Sequence, residues 1–163
     1  KAYKRFFTMQ SFLGLRMRVI YLSKENVKNP IIKDIIEAGK KIDRSGDISI
    51  RYASRIVVST NRSLKDLNEK DFVEVVDYNP SADVALVIGE TQPPLSLPIH
   101  WIIYRITEIN AIVHLYKDLE VTPRIEDLFD VLKILRKERY ASHERFGELY
   151  VGRCLEEILE SMQ

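Results

Sequence analysis

The sequence predicts an α/β protein of the α+β type, with a mainly antiparallel sheet that helices cover on its faces. Strand-like segments follow one another from residue 47 to residue 88 without a helix between them, which favours antiparallel pairing. Apolar residues recur at helical spacing beyond that region, as at Ile99, Ile102, Ile103 and Ile106. The chain has 163 residues, enough for one domain with a buried core.

The first half of the chain is predicted to be one helix followed by four strands. The helix begins near Asn29, because asparagine caps helices well and Pro30 suits the first helical position. Gly46 ends the helical pattern. Its apolar face repeats through four isoleucines, Ile32, Ile35, Ile36 and Ile42. The strands are predicted at residues 47–51, 55–59, 72–78 and 84–88.

The second half is predicted to alternate between helices and strands. Three prolines between residues 91 and 98 favour an extended or looped segment there. The elements that follow are a helix from Pro98, a strand at 111–116, a helix capped by Thr122 and Pro123, a strand at 146–151 and a helix at 154–162.

The composition is that of a globular protein, since 45% of the residues are hydrophobic and 30% are charged. No apolar run is long enough to cross a bilayer, so no membrane association is expected. Cys154 is the single cysteine, which excludes an intrachain disulfide and fits a cytoplasmic location. The many Ile, Lys and Glu residues would suit a thermophilic source.

The net charge of +1 conceals a basic N-terminal segment. Residues 1–28 contain seven basic residues and one acidic residue, a net charge of +6 that leaves −5 on residues 29–163. We therefore divide the chain into a basic arm, residues 1–28, and a domain, residues 29–163. Aromatic residues lie between these charges and could stack on bases, so nucleic-acid binding is one hypothesis for the arm. An N-terminal helix and strand with a solvated basic face is the simpler interpretation.

Several segments of residues 29–163 resemble those of one known family, in the same order. Residues 45–51 read Ser-Gly-Asp-Ile-Ser-Ile-Arg, which is similar to the Ser-Gly-Asn-Ile-Ser-Val-Arg segment of the class II aldolase and adducin head-domain family. Residues 111–116 resemble the Ala-Val-Val-His-x-His strand of that family. Further similarities cover residues 56–62, 64–71, 93–104 and 146–157. The chain is thus identified as a degenerate member of this family.

The resemblance implies a fold, an activity and an assembly. The family fold is an antiparallel sheet between helical layers, so a three-layer α/β/α arrangement is expected. The aldolases of this family use zinc to polarise the carbonyl of a phosphorylated keto sugar, while a carboxylate moves the proton. Members are often tetramers with sites at subunit interfaces, which implies a homo-oligomer here, such as a tetramer.

The zinc ligands that the resemblance implies are mostly replaced. His114 occupies one ligand position, but Tyr116 stands where the family has a second histidine. The third histidine position holds Phe146, and the position of the catalytic glutamate holds Ser96. Zinc sites of this type need at least three protein ligands. We therefore expect no metal and no cofactor, with His114 as the one surviving ligand position.

The implied phosphate positions are altered as well. Asp47 replaces an asparagine and would repel a phosphate, and Arg62 replaces the glycine of a turn. Of the other two histidines, His100 is expected to be a packed, hydrogen-bonded core residue and His143 a solvated loop residue. The candidate catalytic residues are His114, Tyr116 and Asp47, and the candidate ligand-binding residues are Ser49, Ser59, Thr60, Arg62 and Ser96.

Three functions follow from these observations. The leading hypothesis is a non-catalytic, homo-oligomeric binding or assembly module, for which the adducin head domain is the family precedent. The first alternative is an aldolase-like lyase, or another enzyme of sugar metabolites, with altered or metal-independent chemistry at the His114 and Tyr116 pocket. The second alternative is nucleic-acid binding through the basic arm.

Overall fold

An eight-stranded sheet runs through the protein in a computed structural model that describes residues 17–117 and 123–163. The strand order is β1-β5-β4-β3-β2-β6-β8-β7. Strand β1 pairs in parallel with β5, and the other neighbours pair antiparallel. The strands are β1 Arg18–Ser23, β2 Gly46–Tyr52, β3 Arg55–Ser59, β4 Phe72–Asn79, β5 Val84–Ile88, β6 Ala111–Leu115, β7 Tyr140–His143 and β8 Gly147–Gly152.

Helices cover both faces of this sheet. They are α1 Ile31–Gly39, α2 Leu97–Ile103, α3 Ile125–Leu135 and α4 Leu155–Ser161. Helices α1 and α4 bury apolar side chains against one face, and α2 and α3 bury theirs against the other. The mainly antiparallel three-layer α/β/α arrangement that the sequence predicts is confirmed. None of the described helices is long and apolar enough to cross a bilayer.

The start of α1 follows the sequence closely, but its end does not. The Asn29 side chain accepts the backbone N–H of Ile31 at 3.0 Å, which satisfies one of the unpaired donors of the first turn. The helix ends at Gly39, earlier than the apolar pattern predicts. Ile42 nevertheless packs into the same core from the turn that follows, with 4% of its surface exposed.

The pairing of β2 with β6 brings distant residues together. Asp47 lies directly opposite His114, and Gly46 lies opposite Leu115. Residues opposite each other on paired strands point to the same face of the sheet. Both Asp47 and His114 face α2, because they contact His100 of that helix or lie beside it.

The backbone of β2 passes very close to that of β6 at Gly46. A Cβ atom at this position would lie 2.0 Å from the carbonyl oxygen of His114, far inside van der Waals contact. Only a residue without a Cβ allows the two strands to approach this closely. The glycine of the Ser-Gly-Asp segment is therefore required by strand packing.

Strand β7 was not predicted, and His143, expected in a solvated loop, lies in it. The strand has four residues at the edge of the sheet, and only Ala141 is fully buried. Such a short edge strand has no apolar alternation to indicate it. Of the predicted basic arm, residues 1–16 lie outside the described residues, as does Thr122. The rest of the arm contains β1, and nucleic-acid binding by the arm stays a prediction.

Candidate functional site

Asp47 is the centre of a buried polar cluster. Only 1% of its surface is exposed. Its Oδ1 atom contacts the Nε2 of His100 and lies 3.3 Å from the Nδ1 of His114. Its Oδ2 atom accepts hydrogen bonds from the hydroxyls of Ser96 and Tyr116, each at 2.5 Å. Both carboxylate oxygens are therefore occupied by protein donors.

Three segments of the chain bring these side chains together. Asp47 comes from β2 and His114 from the neighbouring β6. Tyr116 lies two residues beyond His114 and therefore points to the same face. Ser96 immediately precedes α2 and His100 lies four residues later, a spacing that places both on one side of a helix.

The second ring nitrogen of each histidine, the one that does not contact Asp47, also has a hydrogen-bond partner. The Nδ1 of His100 lies 2.6 Å from the Ser49 hydroxyl, which lies 2.8 Å from the hydroxyl of Tyr104. The Nε2 of His114 lies 2.7 Å from the main-chain carbonyl oxygen of Phe146. A carbonyl can only accept, so this nitrogen of His114 carries a proton.

The charge of the cluster is set by Asp47. Burial acts to raise its pKa, but the charges and hydrogen bonds of His114 and His100 outweigh burial and hold the pKa well below its usual value. The carboxylate is therefore ionised. Burial raises the pKa of Tyr104 above its usual value, more than Ser49 and Arg51 lower it, so that phenol stays protonated.

A cleft of about 220 Å³ lies beside the cluster, with Tyr116 in its wall. Of the candidate ligand-binding residues, Ser59, Thr60 and Arg62 line this cleft. Ser49 and Ser96 are not among its lining residues, and their hydroxyls bond to His100 and Asp47 in the buried cluster instead. The lining consists of Gly46, Ser59, Thr60, Arg62, Gln92, Pro93, Pro94, Leu95 and Tyr116.

His100 has a larger part in the cluster than sequence reasoning gave it. It is fully buried and hydrogen-bonded, as expected of a core histidine. Sequence reasoning missed that it joins Asp47 and His114 in one group. The spacing of Ser96 and His100 on α2 was the available signal, but only the tertiary structure places that helix over β2.

The β7–β8 hairpin supports the cluster from one side. The ring of His143 stacks on that of Phe146, with centroids 4.2 Å apart. The Nε2 of His143 lies 3.3 Å from Asp127 of α3, and the Nε of Arg145 donates to the same carboxylate at 2.9 Å. His143 is thus a packed residue, and the prediction of a solvated histidine is wrong.

Asp127→Asn should destabilise the protein at neutral pH and much less in acid. Burial acts to raise the pKa of Asp127, but the Arg124 N–H, Arg145 and His143 outweigh it and lower the pKa. The ionised carboxylate therefore stabilises the fold above its unfolded pKa of about 3.9, and this contribution is lost as the pH falls through the lowered folded pKa. Urea unfolding should show a loss of about 1–3 kcal/mol near neutrality.

The matched control for this variant is Glu37→Gln. The Glu37 side chain is 69% exposed and pairs with Lys40 on the surface of α1, so its loss should be small at every pH. A difference between wild type and Asp127→Asn that stays constant from neutral pH into strong acid would contradict the assigned role of the Asp127 charge.

Comparison with known proteins finds the same architecture among solved structures. No family model and no curated protein sequence matches the chain. An L-fuculose 1-phosphate aldolase matches with a TM-score of 0.65 and 15% identity, over 84% of this chain and 83% of that one. A sugar-phosphate aldolase from Thermotoga maritima gives a TM-score of 0.62 and 12% identity, over 78% and 86%. The chain has the class II aldolase fold.

The Thermus thermophilus L-fuculose-1-phosphate aldolase also matches, with a TM-score of 0.55 and 18% identity, over 77% of this chain and 83% of that one. At the positions that the sequence resemblance assigns to zinc and its carboxylate, His114 is accompanied by Tyr116, Phe146 and Ser96. Phe146 has no ligand atom in its side chain. The hydroxyls of Tyr116 and Ser96 are both donated to Asp47.

Proposed function

We propose that this protein is a non-catalytic domain of the class II aldolase fold that acts as a binding or assembly module. The observation that carries the proposal is the closed cluster around Asp47. The hydroxyls at the positions of the second histidine and of the catalytic glutamate, Tyr116 and Ser96, are both used to hold one carboxylate. Neither remains available to a substrate.

Carbon–carbon cleavage of the aldolase type requires an electrophile that the substrate can reach and a base that moves a proton. Asp47, His100 and His114 each have at most 1% of their surface exposed. The ionised Asp47 already accepts from several donors, so it is a poor base for an external proton. This closure supports a role without aldol chemistry.

Exposed apolar side chains support the assembly part of the proposal. Ile125 and Phe129 lie one turn apart on α3 and are 63% and 62% exposed. Ile20 and Leu22 lie on the edge strand β1 and are 46% and 55% exposed. Apolar surface of this kind often marks contacts between subunits. The proposal therefore includes a homo-oligomer, whose size light scattering would measure.

The pure protein is expected to cleave no phosphorylated keto sugar above the uncatalysed background. An L-fuculose 1-phosphate aldolase, measured in the same coupled assay for the released aldehyde, provides the positive control. The assay should be repeated with added zinc. Turnover that the wild type shows and that His114→Gln loses would defeat the proposal, because it would place working chemistry at this cluster.

An enzyme with altered chemistry is the second candidate, and the cleft favours it. Among the described residues that line the cleft, Arg62 is the one that carries a charge, and Ser59, Thr60 and Gln92 add polar groups. Such a site suits a small polar or anionic metabolite. A thermal-shift screen of sugar phosphates and polyols tests it, with Lys33→Ala as the matched control for Arg62→Ala. Stabilisation that only Arg62→Ala abolishes would favour this candidate.

A further inference from the structure

We propose that the outer face of α3 binds the same face of a second copy of this chain, with the two helices antiparallel about a two-fold axis. The inference rests on the assembly part of the proposed function, and it names the surface and its partner. Two features of α3 carry it. One is a pair of exposed apolar side chains, and the other is a pattern of charges that is complementary to itself.

The apolar pair consists of Ile125 and Phe129. The two residues are four positions apart, so they are neighbours on the surface of the helix. Their exposed fractions are 63% and 62%, the highest among the described large apolar side chains. The opposite side of α3 is already used, because Val131 and Leu135 pack there in the core beneath the helix. Aromatic side chains are enriched in the centres of protein interfaces, which makes Phe129 a suitable anchor.

The exposed charges on the same side of α3 change sign along the helix. Glu126 lies in the first turn and Lys133 in the last turn, and both are exposed. Seven residues make about two helical turns, so both charges lie beside the apolar pair. Within the described residues, the ion pairs of α3 all involve Asp127. The charges of Glu126 and Lys133 are therefore available to a partner.

An antiparallel two-fold contact uses both features together. With the axis near Phe129, in the middle of α3, the Phe129 rings of the two copies meet. Ile125 then lies against the aliphatic part of Lys133 of the partner subunit. Glu126 faces the same lysine, and this ion pair forms twice because the contact is isologous. A parallel arrangement would instead bring like charges together.

The charge pattern favours a second copy over other partners. A uniformly acidic or uniformly basic surface would attract one end of α3 and repel the other, whereas an antiparallel copy matches both ends. The contact is small, because α3 has 11 residues. A single helix pair of this length falls at the low end of specific interfaces, below about 1,200 Å² in total. The association should therefore depend on protein concentration.

Sedimentation velocity over a range of concentrations would measure this association. Phe129→Glu should raise its Kd by about 100-fold, because it removes the anchor and places two carboxylates at the axis. Ile134→Glu is the matched control. Ile134 belongs to the same helix and is 41% exposed, but it lies five residues further on, about 140° around the helix axis from Phe129. This variant should keep the Kd of the wild type.

Charge reversals test the antiparallel arrangement. Glu126→Lys and Lys133→Glu should each raise the Kd by about tenfold, because each replaces two opposite-charge pairs by two like-charge pairs. An equimolar mixture of these two variants should form a heterodimer with nearly the affinity of the wild type, since opposite charges then meet at both ends. Circular dichroism and the Tm would verify that every variant folds.

The outcomes separate this inference from the proposed function. A wild type that stays monomeric at every concentration would overturn both the α3 contact and the assembly part of the proposed function. An oligomer that Phe129→Glu leaves intact, or that Ile134→Glu weakens equally, would overturn the α3 contact alone and place the interface elsewhere. Single charge reversals without effect would contradict the antiparallel pairing. Aldolase activity is measured independently of all these results.

Discussion

Asp47→Ala should lower the free energy of unfolding by about 3–5 kcal/mol, the usual cost of removing one partner from a buried charged group. The substitution leaves the hydroxyls of Ser96 and Tyr116 and the inner nitrogens of His100 and His114 without their shared acceptor. Water cannot easily replace it, because Asp47 is 1% exposed. Urea unfolding followed by circular dichroism would measure the loss. The same loss should appear as a Tm lower by roughly 10 °C.

Asp43→Ala is the matched control for this variant. The Asp43 side chain is 88% exposed and pairs with Lys65 at 3.3 Å on the surface. Removal of such a pair should change stability by less than about 1 kcal/mol. If the two alanine variants unfold at the same urea concentration, the cluster around Asp47 does not hold the sheet and α2 together.

Gly46→Ala should have the second largest effect, a loss of about 2–4 kcal/mol. The added methyl group would lie 2.0 Å from the carbonyl oxygen of His114 and 3.1 Å from the Cα of Leu115. Both are main-chain atoms of β6, so β2 and β6 must move apart. Equilibrium unfolding would measure the loss, and amide hydrogen exchange should show weaker protection along both strands.

Gly152→Ala is the control variant for the loss of stability expected of Gly46→Ala. The nearest atoms to an added Cβ there are Glu157 Oε1 at 2.9 Å and Ile158 Cγ1 at 3.1 Å, which belong to side chains that can shift. Its cost should be clearly smaller than that of Gly46→Ala. Equal losses for the two glycines would mean that the close approach of β2 to β6 is not what makes Gly46 necessary.

Local signals were enough to predict most of the elements. The Asn29 side chain and Pro30 mark the start of α1, and apolar runs mark β3 and β5. These signals act within a few residues, so a single sequence carries them. The prediction missed strand β7 because this strand is short, lies at the edge of the sheet and has one fully buried side chain.

The cluster could be predicted only in part. The family resemblance identified Asp47, His114 and Tyr116 as candidate catalytic residues, but it placed Asp47 at a phosphate-binding position. That Asp47 lies opposite His114 depends on the register between β2 and β6, whose residues are far apart in the chain. The contact of His100 with Asp47 depends further on how α2 packs on the sheet, which no local pattern specifies.

The hydrogen bond from His114 to Phe146 is accepted by a main-chain carbonyl oxygen. A different side chain at this position would therefore leave the anchor of the His114 ring in place, provided that it packs in the core as Phe146 does. A change in the length of the preceding turn would be far less tolerable, because it would carry that oxygen away. The anchor of His114 thus depends on the spacing of the chain, whereas the Phe146 ring is constrained separately by its stacking on His143 and its burial.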